Sequence, residues 1–214
     1  MTSGGRELLK WLAVVLMTGD HAIKVLGLVY VPVVSEFGRV AFPVFALVMA
    51  YNLAQPGADV AKSVRRLALW GVAATPAAYL AFGQLLPLNV LLTFALAAAC
   101  VLCIERRLWV ALVLLLAPAP LLVDYQWSGV LLILAAWNEF KHGRGREVPF
   151  LLLMAAMGLL CLYNGNGWAL LAAPLCLLAI FDPPIPRTRW AFYGYYVGHL
   201  AALGIAAIFV TRHL

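Results

Sequence analysis

Met17-Thr18-Gly19-Asp20-His21-Ala22-Ile23-Lys24 decides how the rest of this chain is read. It lies inside an apolar run from Leu8 to Val29, which is about the 20 residues a helix needs to cross a bilayer. An Asp or a Lys at the centre of such a helix costs about 2.5–3.5 kcal/mol on the insertion scale. Residues of this kind turn away from lipid, towards protein or a water-filled cavity, and find partners there. On a helix Asp20 and Lys24 stand four apart on one face, acid first, the favourable order for an ion pair. His21 lies about 100° round the helix from Asp20, so neighbours in sequence need not touch. Two readings stand: a neutralised pair beside a satisfied histidine, or a base buried at the centre of a membrane enzyme.

Composition supports the membrane reading. The 214 residues are 65% hydrophobic and 11% charged, with a mean hydropathy of +0.96, whereas soluble domains run at about 45–50% apolar and about 25% charged. Nine apolar segments follow one another. They run roughly over 8–29, 38–53, 64–82, 88–104, 108–123, 128–140, 148–163, 167–181 and 190–210. The expected fold is therefore all-α, a polytopic membrane helix bundle of about nine transmembrane segments forming a single domain over 1–214. Segments two and six are the least secure as full spans, open to being tilted, broken or partly re-entrant. The first segment follows a short polar start with no small-residue cleavage site, and we read it as a retained anchor.

The net charge of +6 and pI near 9.4 do not indicate nucleic acid, because no basic face with interleaved aromatics appears. Twelve of the 15 Lys and Arg residues fall on one predicted side: Arg6, Lys10, Lys62, Arg65, Arg66, Arg106, Arg107, Lys141, Arg144, Arg146, Arg187 and Arg189. The intervening loops, Tyr30–Phe37 among them, hold almost none. The positive-inside rule then places the N-terminus in the cytoplasm and the C-terminus outside. In a bacterium the membrane is the inner one, with lipids as the surrounding partner. Cys100 and Cys103 have a C-x2-C spacing, but no second pair or His cluster completes a zinc site. With Cys161 and Cys176 they read as small buried hydrophobes, and no metal is expected.

Further polar groups interrupt the apolar segments. Gly38-Arg39-Val40-Ala41-Phe42-Pro43 opens the second, and Pro43 loosens the helix near the carbonyl of Arg39. Arg39 either snorkels to the interface or presents its planar fork to an anion or a developing oxyanion. Arg65, Arg66, Arg106, Arg107, Arg187 and Arg189 are either plain positive-inside charges or a cationic mouth for an anionic cofactor. Asn89 and Thr93 share a face and suit hydrogen bonding between helices. Asp124 is an interfacial acid or a counter-charge to Arg39 or Lys24. Tyr163-Asn164-Gly165-Asn166-Gly167 has the residues of a tight turn needing positive φ. In the last segment Tyr195 lies four residues and Tyr196 three residues before His199, so aromatic rings and imidazole share a face that can meet His21.

Read in order, these motifs resemble the TraX family. They are M-T-G-D-H at Met17–His21, G-R-V-A-F-P-V-F-A at Gly38–Ala46, Arg65-Arg66-Leu67, L-N-V-L-L-T-F at Leu88–Phe94, D-Y-x-x-S-G-V-L-L at Asp124–Leu132, Tyr163-Asn164-Gly165, and F-Y-x-Y-Y-x-x-H-L at Phe192–Leu200. The family is known for an acetylase that caps the N-terminus of F-type pilin with acetyl-coenzyme A, and it looks distantly related to transmembrane acyltransferases that modify surface sugars. The resemblance implies functional positions at Asp20, His21, Gly38, Arg39, Phe42, Pro43, Arg66, Asn89, Thr93, Asp124, Tyr125, Tyr196 and His199. The chain departs from the family in carrying Val197 where a proline usually stands two before the histidine, and Gln126 where a glycine commonly follows Asp-Tyr. Both departures bear on local backbone shape.

The resulting expectation is an integral membrane acetyltransferase that moves an acetyl group from acetyl-CoA to an amine or hydroxyl on a protein such as a pilin N-terminus, a glycan or a lipid. His21 is the expected general base, with Asp20 orienting it indirectly or balancing Arg39 or Lys24. Arg39 is the expected oxyanion or phosphate group, while His199 and Tyr196 position the acyl chain or relay a proton. Arg65, Arg66, Asn89 and Arg106 are the expected cofactor contacts, together with Tyr196. The alternative is a small proton-coupled membrane transporter using the same buried groups.

Overall fold

Apolar runs of this length fold as helices because lipid offers the backbone no hydrogen-bond partner, and in the computed structural model each of the nine becomes helical. The structure describes residues 1–29, 31–143, 145–188 and 190–212, so Tyr30, Arg144 and Arg189 of the predicted loops lie outside the described residues. The helices are α1 (Ser3–Val25), α2 (Pro32–Leu53), α3 (Val60–Phe82), α4 (Val90–Glu105), α5 (Trp109–Leu116), α6 (Gln126–His142), α7 (Glu147–Asn164), α8 (Ala172–Leu175) and α9 (Ala191–Arg212). Among the described residues three helices are long and apolar enough to cross a membrane: α2, α7 and the Ala191–Val210 part of α9. α1 has the length but carries Arg6, Glu7, Lys10, Asp20 and Lys24.

The doubtful segments prove to be different ones. Segment two is a 22-residue helix that continues through Pro43 and begins at Pro32, well before Gly38. Proline at a first helical position loses no hydrogen bond, and hydropathy alone hid this start because Ser35 and Glu36 fall within it. Segment six is an unbroken 17-residue helix. Segments five and eight are the broken ones. α5 stops at Leu116, before Pro118 and Pro120, and gives way to a 3-10 turn at Ala119–Leu122. Two prolines within three residues remove two backbone donors and crowd the preceding turn. Segment eight breaks into 3-10 turns at Trp168–Leu171 and Cys176–Ile180 on either side of four-residue α8, which contains Pro174. Gly165 ends α7 with φ +71°, the positive φ its Asn-Gly turn required.

The chain divides into two compact units: residues 1–45, 73–85 and 168–214, and residues 46–72 and 86–167. In the first, α1 packs on α9 and on the 176–180 turn. Gly4 and Gly5 allow this, since a Cβ at Gly5 would lie 2.6 Å from the Cα of Ala179. Thr2 N–H donates to the Ala179 carbonyl at 2.8 Å, and Gly4 N–H to Asp182 at 2.8 Å. Glu7, just ahead of the apolar run, accepts from Lys10 at 2.7 Å and from the Thr188 hydroxyl at 2.9 Å. Burial pushes its carboxyl up, but Lys10 and Thr188 outweigh that and hold it below the usual carboxylate range.

In the second unit α6 packs on α4 and α7. Leu88 N–H donates to the Leu122 carbonyl at 2.7 Å, and Asp124 N–H to the Leu88 carbonyl at 2.8 Å. The Thr93 hydroxyl donates to the Asp124 carbonyl at 2.7 Å. This turn holds Tyr125 at φ 59° and Gln126 at φ 44°, a left-handed conformation that L side chains rarely adopt. Gln126 thus stands where a glycine would be relaxed. Cys100 and Cys103 are buried and Cys161 and Cys176 partly buried, all as thiols outside any disulfide.

Candidate catalytic site at a histidine pair

The first and last helices run side by side in the same direction. Trp11 meets Phe192 with ring centroids 4.9 Å apart, the Thr18 hydroxyl lies 2.8 Å from the Tyr195 hydroxyl, and His21 meets His199. Numbers rise together along both helices, and the spacings (11, 18, 21 against 192, 195, 199) mark one stripe on each. The two intramembrane histidines that the sequence suggested could meet do so.

The geometry of the pair fixes where its protons sit. His21 Nδ1 lies 2.9 Å from His199 Nε2. The rings are within 6° of parallel and their centroids are 5.2 Å apart, which is the nitrogen–nitrogen distance plus one ring radius on each side. The imidazoles are therefore edge to edge in a common plane, joined by an N–H···N bond rather than stacked face to face. His199 Nδ1 lies 2.9 Å from the carbonyl oxygen of Tyr195, one turn back on α9. A carbonyl only accepts, so His199 carries its proton on Nδ1 and, in the neutral ring, offers a lone pair at Nε2. His21 must then donate from Nδ1. Its Nε2 is left without a proton, which is the state a general base needs.

Packing holds this arrangement in place. His199 is only 8% exposed, with the Tyr195 ring on one side at 5.2 Å and the buried Tyr196 ring edge-on at 5.6 Å. Phe82, at the end of α3, meets His21 edge-on at 5.4 Å. His21 itself is only partly buried. Tyr196 therefore packs against the ring of His199.

Asp20 does not touch His21. Its Oδ2 accepts from Lys24 Nζ at 2.6 Å, the ion pair that helical spacing predicted, and its Oδ1 is buried without a hydrogen-bond partner. Lys24 is thus balanced by Asp20 rather than by Asp124. α2 crosses α1 at this point: a Cβ on Gly38 would lie 2.4 Å from the Cβ of Asp20. Arg39 follows directly, so its backbone enters at the depth of Asp20 and His21. It is partly buried and has no hydrogen-bond or ion-pair partner among the described residues. Among the described residues no hydrogen bond or ring contact joins it to the histidines.

The expected cofactor residues are distributed differently. Arg65, Arg66, Asn89 and Arg106 belong to the second unit. Arg65 and Arg106 are exposed and Arg66 is partly buried. Asn89 needs correction as a cofactor contact. Its carbonyl oxygen caps α4 by accepting from Leu91 N–H at 3.2 Å, and its amide donates to the Gly71 carbonyl of α3 at 2.8 Å. That is the helix-to-helix bonding its spacing with Thr93 suggested. Sequence reasoning missed the Tyr195 carbonyl, the Thr18–Tyr195 bond and the Phe82 contact. Thr18, three residues before His21, was the available signal for the second.

Comparison with known proteins agrees with the motifs. The model of the family described as TraX protein matches residues 5–207. A protein from Escherichia coli, "Protein TraX", is 30% identical over 220 residues, covering 96% of this chain and 88% of that protein. A second "Protein TraX", from Escherichia coli strain K12, is 28% identical over 219 residues with the same coverage. No solved structure matches significantly.

Proposed function

We propose, on the premise that this chain belongs to the TraX family, that it is an acetyl-CoA-dependent acetyltransferase of the bacterial cytoplasmic membrane, with His21 as general base. The observation that carries this reading is the run of bonds from the Tyr195 carbonyl through His199 to His21, which leaves His21 Nε2 unprotonated in a partly buried site.

The residues present fit an anionic acyl donor. Arg65 and Arg106 are exposed, permanently protonated forks, and Arg39 is partly buried with its fork unbonded among the described residues. Bound acetyl-CoA supplies an activated acyl carbonyl and a thiol leaving group. His21 Nε2 takes the proton of the acceptor amine or hydroxyl. His21 Nδ1–H then bonds His199 as part of a cation, a stronger bond than in the neutral pair. His199 can take up that proton in turn, because its own Nδ1–H is already fixed on a carbonyl. Arg39 supplies permanent positive charge at the same depth for negative charge developing on oxygen. Tyr196 and Phe82 limit rotation of the rings and keep the Nε2 lone pair in one direction.

The test is acetyl transfer by the purified protein in nanodiscs, followed by release of free thiol. His21→Ala and Arg39→Ala are expected to lose turnover while remaining folded; wild-type rates in both would end the reading. The same bonded pair of imidazoles also favours a second reading, a proton-coupled transporter. It predicts solute uptake into vesicles and no thiol release.

A further inference from the structure

A cleft that the histidine site does not use lies within the second unit. It has a volume of about 530 Å³ and sits between the end of α2 with its following loop and the end of α6 with its following loop. Small-molecule sites span about 300–1,000 Å³. Its rim carries Lys141, His142 and Arg146, with no carboxylate among the described lining residues, and Tyr51 and Phe140 form an aromatic wall. Their rings meet edge to face at 85° with centroids 5.4 Å apart. Two cations, Lys141 and Arg146, around one cavity repel each other unless an anion joins them.

Other contacts determine how free each donor is. Lys141 is paired with Glu105 and lies over the Trp137 ring at 4.9 Å, so part of its charge is already balanced. His142 donates from Nδ1 to the Asn138 side-chain oxygen at 3.2 Å, so in the neutral ring its Nε2 is an acceptor and no donor for a phosphate. Arg146 is exposed, and its guanidinium has no partner among the described residues. A free fork with a point charge beside it is the donor set for phosphate oxygens, and an aromatic wall offers a flat face to a base. The positive-inside rule explains basic residues on this side, but not their grouping around a cavity with two aromatic rings.

We infer that the cleft between the ends of α2 and α6 binds a phosphorylated nucleotide, with Arg146 and Lys141 on the phosphates and the Tyr51–Phe140 wall beside the base. The inference rests on the transferase reading only for what the nucleotide is joined to, namely the acyl group of the donor. A phospholipid headgroup shares the phosphate chemistry but has no base to place against the wall.

The experiment is titration calorimetry of ADP with the full chain in zwitterionic nanodiscs, for wild type, for Lys141→Ala with Arg146→Ala, and for Phe140→Leu. Arg146 is exposed and Lys141 near the surface, so the double variant keeps its fold. Loss of the charge-assisted bonds is expected to weaken ADP roughly tenfold or more, with a smaller loss for Phe140→Leu. KM for acetyl-CoA should rise by a similar factor while kcat holds. Unchanged ADP affinity in the double variant overturns the inference. So does transfer that depends on His21 while KM ignores Lys141 and Arg146, an outcome that leaves the transferase reading intact. ADP binding that depends on this cleft in a protein without acetyl transfer keeps the site and removes the transferase reading. Displacement of ADP by phosphatidylglycerol in the nanodisc, with inorganic phosphate competing as well as ADP, assigns the cleft to a headgroup and overturns the nucleotide.

Discussion

Replacing His199 by alanine is the most direct trial of the hydrogen-bond logic in the site. His199 Nε2 is the acceptor that holds the His21 proton on Nδ1 at 2.9 Å. Without it, His21 can carry its proton on either nitrogen, and the cation formed when it accepts a second proton loses its partner. A hydrogen bond to a charged group contributes about 1.5–3 kcal/mol. At about 1.36 kcal/mol per factor of ten, kcat should fall roughly 10- to 150-fold. His21→Ala removes the base itself and should cost roughly 10²- to 10⁴-fold. The double variant should be no worse than His21→Ala alone, because both changes disable one unit. His199→Gln, whose amide oxygen can accept the same proton, should recover part of the loss. The assay is thiol release at saturating acceptor, with folding checked by gel filtration and circular dichroism. A His199→Ala defect as deep as that of His21→Ala, or an additive double variant, would refute the assigned proton positions.

Three further outcomes are expected. Gln126→Gly should relieve about 1–2 kcal/mol of left-handed strain and give back about 0.5–1 through the greater freedom of glycine when unfolded. Thermal melts should therefore rise by about 1–4 °C, while Gln126→Ala gains nothing. Gly38→Ala should drive a methyl into Asp20 at 2.4 Å and cost about 1–3 kcal/mol, seen as a fall of several degrees in Tm. Glu7, held below the usual carboxylate range by Lys10 and Thr188, adds stability that is present above its unfolded pKa and lost as pH falls through its lower native one. Melting curves between neutral and strongly acidic pH should accordingly be flatter for Glu7→Gln than for wild type.

Periodicity and cost explain which parts of this structure were legible in the sequence. Asp20, Lys24, His21 and His199 stood out because each is expensive in an apolar helix, and the Asp20–Lys24 pair followed from helical spacing alone. Hydropathy located all nine segments but could not rank their continuity, since it scores proline and glycine weakly. Pro118, Pro120 and Pro174 settle that question, whereas Pro43 stays inside a helix whose neighbours support it. Asn89 was placed among cofactor contacts because its motif was familiar, yet its amide is committed at both ends to backbone. The α2–α6 cleft was hidden for another reason: Lys141 and Arg146 read as ordinary inner-loop charges until the fold set them around Tyr51 and Phe140.

The partner that orients His199 is main chain, not side chain. An acid in that role would be visible in any scan for residue types, and a single substitution would remove it. A peptide oxygen leaves no letter in the sequence, and no replacement of the Tyr195 side chain abolishes it. Searches that look for an acid–imidazole couple would pass over this helix, and mutational surveys would find two essential histidines with no third member. What preserves the arrangement through drift is one intact helical turn between positions 195 and 199.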